Sequence, residues 1–167
     1  ETFEKVFDDI INDVTKVAGK RGFGDANKLE RYVRYLCALG ELDTNNDELL
    51  QRFRETISID ETTELEYRSA LTDNIGLIVE ESGKLTVEPD ALQEYIVYDT
   101  FFTDSAYDYQ DQIHDNFREF ISKPQINLLA VIHQSHGCRE ARKILRSLVN
   151  EEIDSMTEYG FAERVRV

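Results

Sequence analysis

The chain has little of the residue types that build disulfide scaffolds, zinc knuckles or membrane anchors. Its 167 residues include two cysteines, two prolines, one methionine and no tryptophan. Cys37 and Cys138 are far apart and lack CxxC spacing, which excludes a disulfide framework and indicates a reducing compartment. No apolar run approaches the roughly 18 residues of a membrane span, and residues 1–20 do not read as a signal peptide. We therefore expect a cytoplasmic chain with no membrane partner.

Positive charge is also scarce. Lysine and arginine number 19 against 34 aspartates and glutamates, a net charge of −15. Such a field repels phosphate backbones and anionic lipid headgroups, so it disfavours nucleic acid as a partner. The acids are spread along the whole chain, and arginine outnumbers lysine 12 to 7, a balance that predicts a halophilic, archaeal source. The lone methionine, Met156, predicts that the sequence is part of a longer protein.

Helical periodicity runs through the first half of the chain. Apolar stripes and capping residues predict four helices: Thr2–Ala18, Ala26–Leu39, one starting at Asn46 or Asp47, and one starting after Asp60 and ending near Gly76. The expected buried residues are Val6, Ile10, Val14 and Val17 in the first helix, Leu29, Tyr32, Val33 and Leu36 in the second, Leu49, Leu50, Phe53 and Ile57 in the third, and Leu65, Leu71 and Ile75 in the fourth.

A β-hairpin follows these helices. Its predicted strands are Leu77–Glu80 and Lys84–Glu88, joined by a turn over Glu81–Gly83. Pro89 suits a first helical turn, so a helix over Asp90–Phe102 is expected at once. Three short helices, a hairpin and a further helix predict a winged-helix unit, with the hairpin as its wing.

The last third of the chain has helical patterns again. Lys123-Pro124 predicts a break, followed by a helix that buries Ile126, Leu129, Ala130 and His133 and ends at Gly137. A final helix is expected to present Ala141, Ile144, Leu145, Leu148, Val149 and Ile153. The predicted fold class is thus mainly α: a winged-helix unit with a small β-hairpin wing, followed by antiparallel helices that resemble the start of an α-helical repeat.

Two residue groups have spacings that occur in metal sites. His133, His136 and Cys138 lie near one helix end, although histidines there more often interact with the negative end of the helix dipole. The run Asp43–Asp47 alternates oxygen ligands as a calcium loop does, but Glu48 and Arg54 stand where that loop needs glycine and glutamate. We predict no metal ligand, no cofactor-binding residue and no catalytic residue, because neither a P-loop nor an activated nucleophile is present.

The elements that bind DNA in many winged-helix proteins are acidic here. The third helix of the unit, over Glu61–Asn74, has one cation, Arg68, against four acids, Glu61, Glu64, Glu66 and Asp73. In the wing, two acids, Glu80 and Glu81, outnumber the one cation, Lys84. Phosphate contacts need lysine and arginine, so a stand-alone winged-helix DNA-binding transcriptional regulator is the alternative, not the leading hypothesis.

Three segments carry a family resemblance: Tyr32–Asp43 (YVRYLCALGELD), Gly76–Val87 (GLIVEESGKLTV) and Pro89–Tyr98 (PDALQEYIVY). Together they resemble the winged-helix segment that follows the nucleotide-binding domain of STAND-type P-loop ATPases, where an ALLG-like helix end, a GLL entry to the wing and a V-P-D-x-L-x-(D/E)-Y exit recur. Glu88 before Pro89 and the glutamine at position 93 depart from that pattern. The resemblance covers about Lys28–Phe102.

The resemblance implies a division into residues 1–22 as the end of a preceding ATPase lid, 23–104 as the winged-helix domain and 105–167 as a helical sensor region. It also implies a non-catalytic regulatory module of a signal-transduction or defence NTPase, with ATP or ADP bound in the preceding domain. Expected partners are that nucleotide-binding domain, other protomers or a protein trigger. An all-helical protein-binding domain unrelated to this family is a further alternative.

An aromatic cluster suggests where such a partner docks. Tyr95, Tyr98, Phe101 and Phe102 place more aromatic surface on one short helix than a small core needs, so we predict a docking face there. The competing interpretation is that these side chains only join the wing to the following helices.

Overall fold

Side-chain caps mark the starts of several helices. The computed structural model describes residues 2–103, 123–139 and 141–146. Helix α1 spans Phe3–Gly19, α2 Ala26–Leu39, α3 Asp47–Ile57 and α4 Glu61–Ser69, and α4 continues as a π-helical segment over Ala70–Ile75. The side chains of Asp25, Asn46 and Asp60 accept hydrogen bonds from backbone N–H groups in the first turns of α2, α3 and α4. These bonds satisfy donors that have no partner inside the helix.

The small sheet has one strand more than the sequence predicts. Strands β1 (Leu42–Asp43), β2 (Ile78–Glu81) and β3 (Lys84–Val87) pair antiparallel in the order β1-β3-β2. Ser82 and Gly83 have φ values of 54° and 78°, as a two-residue hairpin turn requires. Glu81 therefore pairs with Lys84 in the ladder and lies outside the turn, contrary to the prediction.

Helix α5 spans Asp90–Phe102 as predicted. Pro89 precedes the helix with extended backbone angles, φ −77° and ψ 158°, after a cis peptide bond from Glu88. Pro89 is the N-cap residue, directly before the predicted start of the helix. Its carbonyl accepts the first hydrogen bonds of the helix, from the N–H groups of Leu92 and Gln93.

One hydrophobic core joins α1 to the elements between α2 and α5. Its largest fully buried aromatic side chains are Tyr32, Tyr35, Tyr67, Phe53 and Phe101. In α1 the buried stripe is Phe7, Ile11, Val14 and Ala18, so the predicted stripe was rotated by about one residue. Burying Phe7 removes more apolar area from water than burying Val6 would, which favours the observed orientation.

The buried face of α4 also differs from the prediction. Leu65 is 49% exposed, whereas Glu64 and Tyr67 are fully buried. Residues 64, 67 and 71 are spaced i, i+3 and i+7 and lie on one helix face, which places residue 65 about 100° away from it. Leu71 is buried as expected, and Ile75 packs partly buried against the core.

Helix α6 spans Lys123–His136, and residues 139 and 141–146 are helical after Gly137. Helix α6 begins next to the predicted break at Pro124 and packs on α2 and α5. Leu129 and Ile132 are buried, whereas Ile126, Ala130 and His133 are half-buried. The predicted core positions Leu148, Val149 and Ile153, and the stretch 104–122, lie outside the described residues.

The structure confirms the predicted fold class: the chain is mainly helical with a small antiparallel sheet. The order α2, β1, α3, α4, β2, β3 is that of a winged-helix unit, with α1 packed against α2, α4 and α5. Within residues 2–103, 123–139 and 141–146, no helix is long and apolar enough to cross a membrane.

Candidate functional site

The surface formed by α4 and the wing is a candidate partner site, because winged-helix proteins that bind DNA contact the DNA through these two elements. Glu61 and Asp73 are exposed on α4 and its π-helical extension, and Glu80 and Glu81 are exposed on the wing. Glu66 is half-buried and pairs with Arg21 of the α1–α2 connection, with 3.0 Å between nitrogen and oxygen. The surface is therefore acidic in three dimensions as well as in sequence.

The single cation of α4 forms an ion pair with a buried carboxylate. Glu64 is fully buried, and its two oxygens lie 2.8 and 2.9 Å from a guanidinium nitrogen of Arg68. Arg54 of α3 donates to the same carboxylate at 3.3 Å, and the Tyr32 hydroxyl of α2 donates at 3.2 Å. This carboxylate joins three helices of the winged-helix unit through charge-assisted hydrogen bonds.

Electrostatics inside this cluster keep Tyr32 and Arg68 protonated. Burial and the neighbouring Glu64 charge raise the pKa of Tyr32 well above its usual value. Burial opposes the charge of Arg68, but hydrogen bonding and attraction to Glu64 outweigh it, so the pKa of Arg68 is raised. Arg68 is thus a structural cation whose guanidinium points to Glu64 and is not available for phosphate.

The wing cation is engaged in the same way. Lys84 Nζ lies 2.7 Å from Glu41 Oε1, and this hydrogen bond raises the pKa of Lys84. The wing tip is also held to the loop before α3, since the backbone N–H and the hydroxyl of Thr44 both donate to the carbonyl of Gly83. Both cations between residues 61 and 88 therefore have carboxylate partners within the unit.

The four predicted docking residues of α5 do not share one exposed face. Phe101 is 2% exposed and packs edge-on against Tyr35, so it belongs to the core and not to a surface. Tyr95 and Tyr98 are half-buried, and each stacks on a neighbour, Phe3 of α1 at 5.7 Å and His136 of α6 at 3.9 Å between ring centroids. Phe102 is half-buried against the core. Tyr95 and Tyr98 thus contact α1 and α6 through these stacked pairs, and the docking face on α5 stays a prediction.

A second buried charge, which the sequence analysis missed, ties α1, α2 and α5 together. Arg34 donates to Glu30 at 2.9 Å, to Asp99 at 2.9 Å and to the Thr100 hydroxyl at 2.6 Å. Its guanidinium carbon also lies 4.9 Å from the ring centre of Phe7. The only sequence indication was an arginine inside the otherwise apolar run Tyr32–Leu39 of α2.

The residues with metal-like spacing have other contacts. The Nδ1 atom of His133 lies 3.0 Å from the carbonyl oxygen of Cys138, and the Nε2 atom of His136 lies 3.0 Å from Glu94 Oε1. In the calcium-like run, Asp43 accepts hydrogen bonds from Asn45, and Asn46 caps α3. Among the described residues, no group of three or more histidine, cysteine, aspartate or glutamate side chains is placed to hold a metal ion.

Comparisons of this chain with protein-family models, curated proteins and solved structures give no match.

Proposed function

We propose that the chain is a non-catalytic regulatory module of a signal-transduction or defence NTPase, one that couples nucleotide state to oligomerisation or ligand sensing. The observation that carries this proposal is the acidic, internally ion-paired surface of α4 and the wing within a winged-helix arrangement. A winged-helix unit that offers carboxylates where phosphates would approach is suited to protein partners and not to nucleic acid.

The placement of α1 supports a relay between segments on either side of the unit. α1 shares the core of the winged helix, and α5 contacts both α1 and α6 through the stacked pairs of Tyr95 and Tyr98. A movement of α1 relative to α5 must therefore break or remake buried contacts. In the proposed cytoplasmic ATPase, ATP or ADP binds in a domain before α1, and the partners are that domain, other protomers or a protein trigger.

The test is nucleotide-dependent assembly of the full-length product of the reading frame that contains this chain. We expect a P-loop upstream of residue 1, nucleotide binding, and a change in oligomeric state when ATP replaces ADP. Replacing Tyr98 and Phe102 with alanine should raise assembly in ADP. A reading frame without a nucleotide-binding domain, or assembly indifferent to nucleotide, would overturn the proposal.

Fluorescence anisotropy with duplex DNA tests the transcriptional-regulator alternative. A regulator must bind saturably and lose affinity steeply as salt rises, because phosphate contacts release counterions. We expect no saturable binding at about 0.05 M salt. As an internal control, the E80K/E81K variant reverses the charge of the wing and should raise nonspecific binding if the wing faces the duplex.

A further inference from the structure

A cleft of about 220 Å³ lies between the first turns of α5 and the middle of α6. Its lining consists of Asp90, Gln93, Glu94, Asn127, Leu128 and Val131. Clefts that hold drug-sized ligands have volumes of roughly 300–1,000 Å³, so this one suits a single side chain. It is distinct from the surface of α4 and the wing.

Gln93 lines the cleft with a side-chain amide of fixed orientation. The residue is only 9% exposed, and its side-chain nitrogen donates to the carbonyls of Gly40 at 3.0 Å and Cys37 at 3.4 Å. Because both neighbours are carbonyl oxygens, the NH2 group of the Gln93 amide must face them, and this fixes the orientation of the side chain. The Gln93 Oε1 atom accepts no hydrogen bond from any residue the structure describes, so this side chain has an acceptor left for a ligand, beside the amide of Asn127 in the same lining.

The two carboxylates of the cleft make it negative. Asp90 and Glu94 are one helical turn apart on α5, and Glu94 contacts His136 through one oxygen only. The helix dipole places roughly +0.5 charge at the N-terminus of α5. With the two carboxylates, the net charge at the cleft is therefore about −1.5. No lysine or arginine lines the cleft among the described residues.

The opposite wall, on α6, has two apolar residues beside Asn127. Val131 is 42% exposed, a large fraction for a valine, and Leu128 beside it is half-buried. A ligand that fits must place hydrogen-bond donors against Asp90, Glu94 and Gln93 and an aliphatic stem against Leu128 and Val131. A calcium ion would satisfy the first condition but gains nothing from the second, and it needs six to eight oxygen ligands.

We propose that this cleft binds an arginine side chain presented by a partner protein. A guanidinium group has five N–H donors and no acceptor, so it can serve two carboxylates and a carbonyl together. Its three-methylene stem packs against apolar walls while the head stays hydrated or ion-paired. The net charge of −15 adds a field that steers a basic segment toward the protein.

The experiment is an amide NMR titration of the whole 167-residue chain with N-acetyl-arginine amide. We expect saturable shifts at the Gln93 side-chain amide and at backbone amides of α5 and α6, and no saturable shift with the uncharged analogue N-acetyl-citrulline amide. Equal responses to both probes, or responses outside α5 and α6 only, would overturn the proposal. Displacement of the arginine probe by equimolar calcium chloride would also count against it.

Three variants separate the cleft from the general acidity of the chain. D90N alters an exposed carboxylate outside the core and should weaken binding about tenfold, the effect of losing one charge-assisted hydrogen bond. D90N/E94Q should abolish saturation. The E80Q/E81Q control removes the same charge from the wing and should leave affinity within about twofold, since those sites are exposed and remote from the cleft. Equal losses in the control and the cleft variants would show nonspecific attraction and refute the site.

A peptide tests the source of the arginine. A short peptide with one arginine between leucines should bind at least about tenfold tighter than the free probe, because it adds apolar contact with Val131. Affinity no better than that of the free probe would exclude a protein segment as the ligand. These measurements need neither nucleotide nor the proposed ATPase domain, so their failure is distinguishable from failure of the proposed function.

Discussion

The carboxylate of Glu64 is enclosed by α2, α3 and α4 and accepts hydrogen bonds from one phenol and two guanidinium groups. Removing its charge would leave Arg54 and Arg68 near one another without their shared anion. The two arginine side chains keep 20% and 16% of their exposure, so water can compensate only in part. Buried ion pairs of this kind are costly to break even where the intact pair contributes little net stability.

Glu64→Gln should therefore lower the free energy of unfolding by about 3 kcal/mol, the low end of the range for breaking a buried pair. Urea denaturation followed by circular dichroism measures the change. Glu61→Gln is the matched control on the same helix, because Glu61 is 72% exposed and should change stability by less than about 0.5 kcal/mol. Equal effects of the two substitutions would show that the Glu64 cluster contributes no special stability.

Tyr67 gives a prediction at alkaline pH. Burial, aided by the charge of Asp25, raises the pKa of Tyr67 to about 12, against about 10 in an unfolded chain. The protonated phenol is thus favoured by folding, and this stabilising contribution is complete below about pH 10 and is lost as pH rises toward 12. Tyrosinate absorbance should show a late-titrating component to which both Tyr67 and the buried Tyr32 contribute, and Tyr67→Phe should reduce this component while the contribution of Tyr32 remains.

At the scale of elements, α6 packs on α5 partly through one aromatic pair. Tyr98 stacks on His136 with the ring planes 11° apart, and Glu94 contacts the same histidine. Tyr98→Ala should speed hydrogen exchange across Lys123–His136 by about tenfold while exchange in α2 stays unchanged, because α2 lies in the main core. Tyr98→Phe keeps the stacked ring and should exchange like the parent. Equal exchange in all three proteins would mean that other contacts hold α6.

Elements with strong local patterns were predictable. The bounds of α2 and α5 agree with the prediction because each starts at a clear boundary signal, Asp25 before α2 and Pro89 before α5. The wing was found from its Ser-Gly turn and flanking apolar residues. Strand β1 has two residues, too few to show alternation, and exists because β3 offers Leu85 and Lys84 as pairing partners.

Features that depend on tertiary partners were not predictable. Glu64 and Arg34 are charged residues whose burial is possible only because partners arrive from other helices, 10 to 66 positions away in the chain. Judged by polarity alone, Leu65 is the residue of α4 expected in the core, yet it is exposed. The burial of Phe101 was not predictable for a similar reason, since an aromatic residue looks alike in sequence whether its ring enters a core or covers a surface.

At the scale of the whole molecule, the net charge of −15 sets the response to salt. Repulsion between exposed carboxylates destabilises the folded state, and raising ionic strength from about 0.1 to 1 M shortens the Debye length from about 10 to 3 Å. We expect the Tm to rise by about 4 °C or more over that range. A sucrose series controls for solvent exclusion. A Tm that is unchanged or lower in salt would refute both the repulsion argument and the predicted halophilic origin.

The burial of both cysteines has a consequence for labelling the protein with thiol-reactive dyes. Cys37 and Cys138 are both buried, and burial raises the pKa of the Cys37 thiol, which keeps it in the unreactive protonated form. Maleimide dyes added to the native protein should therefore react with cysteines introduced on the surface and spare the natural ones. A donor at residue 65 and an acceptor at residue 131, both exposed, would report the distance between the wing side and α6 in single molecules without altering either native thiol.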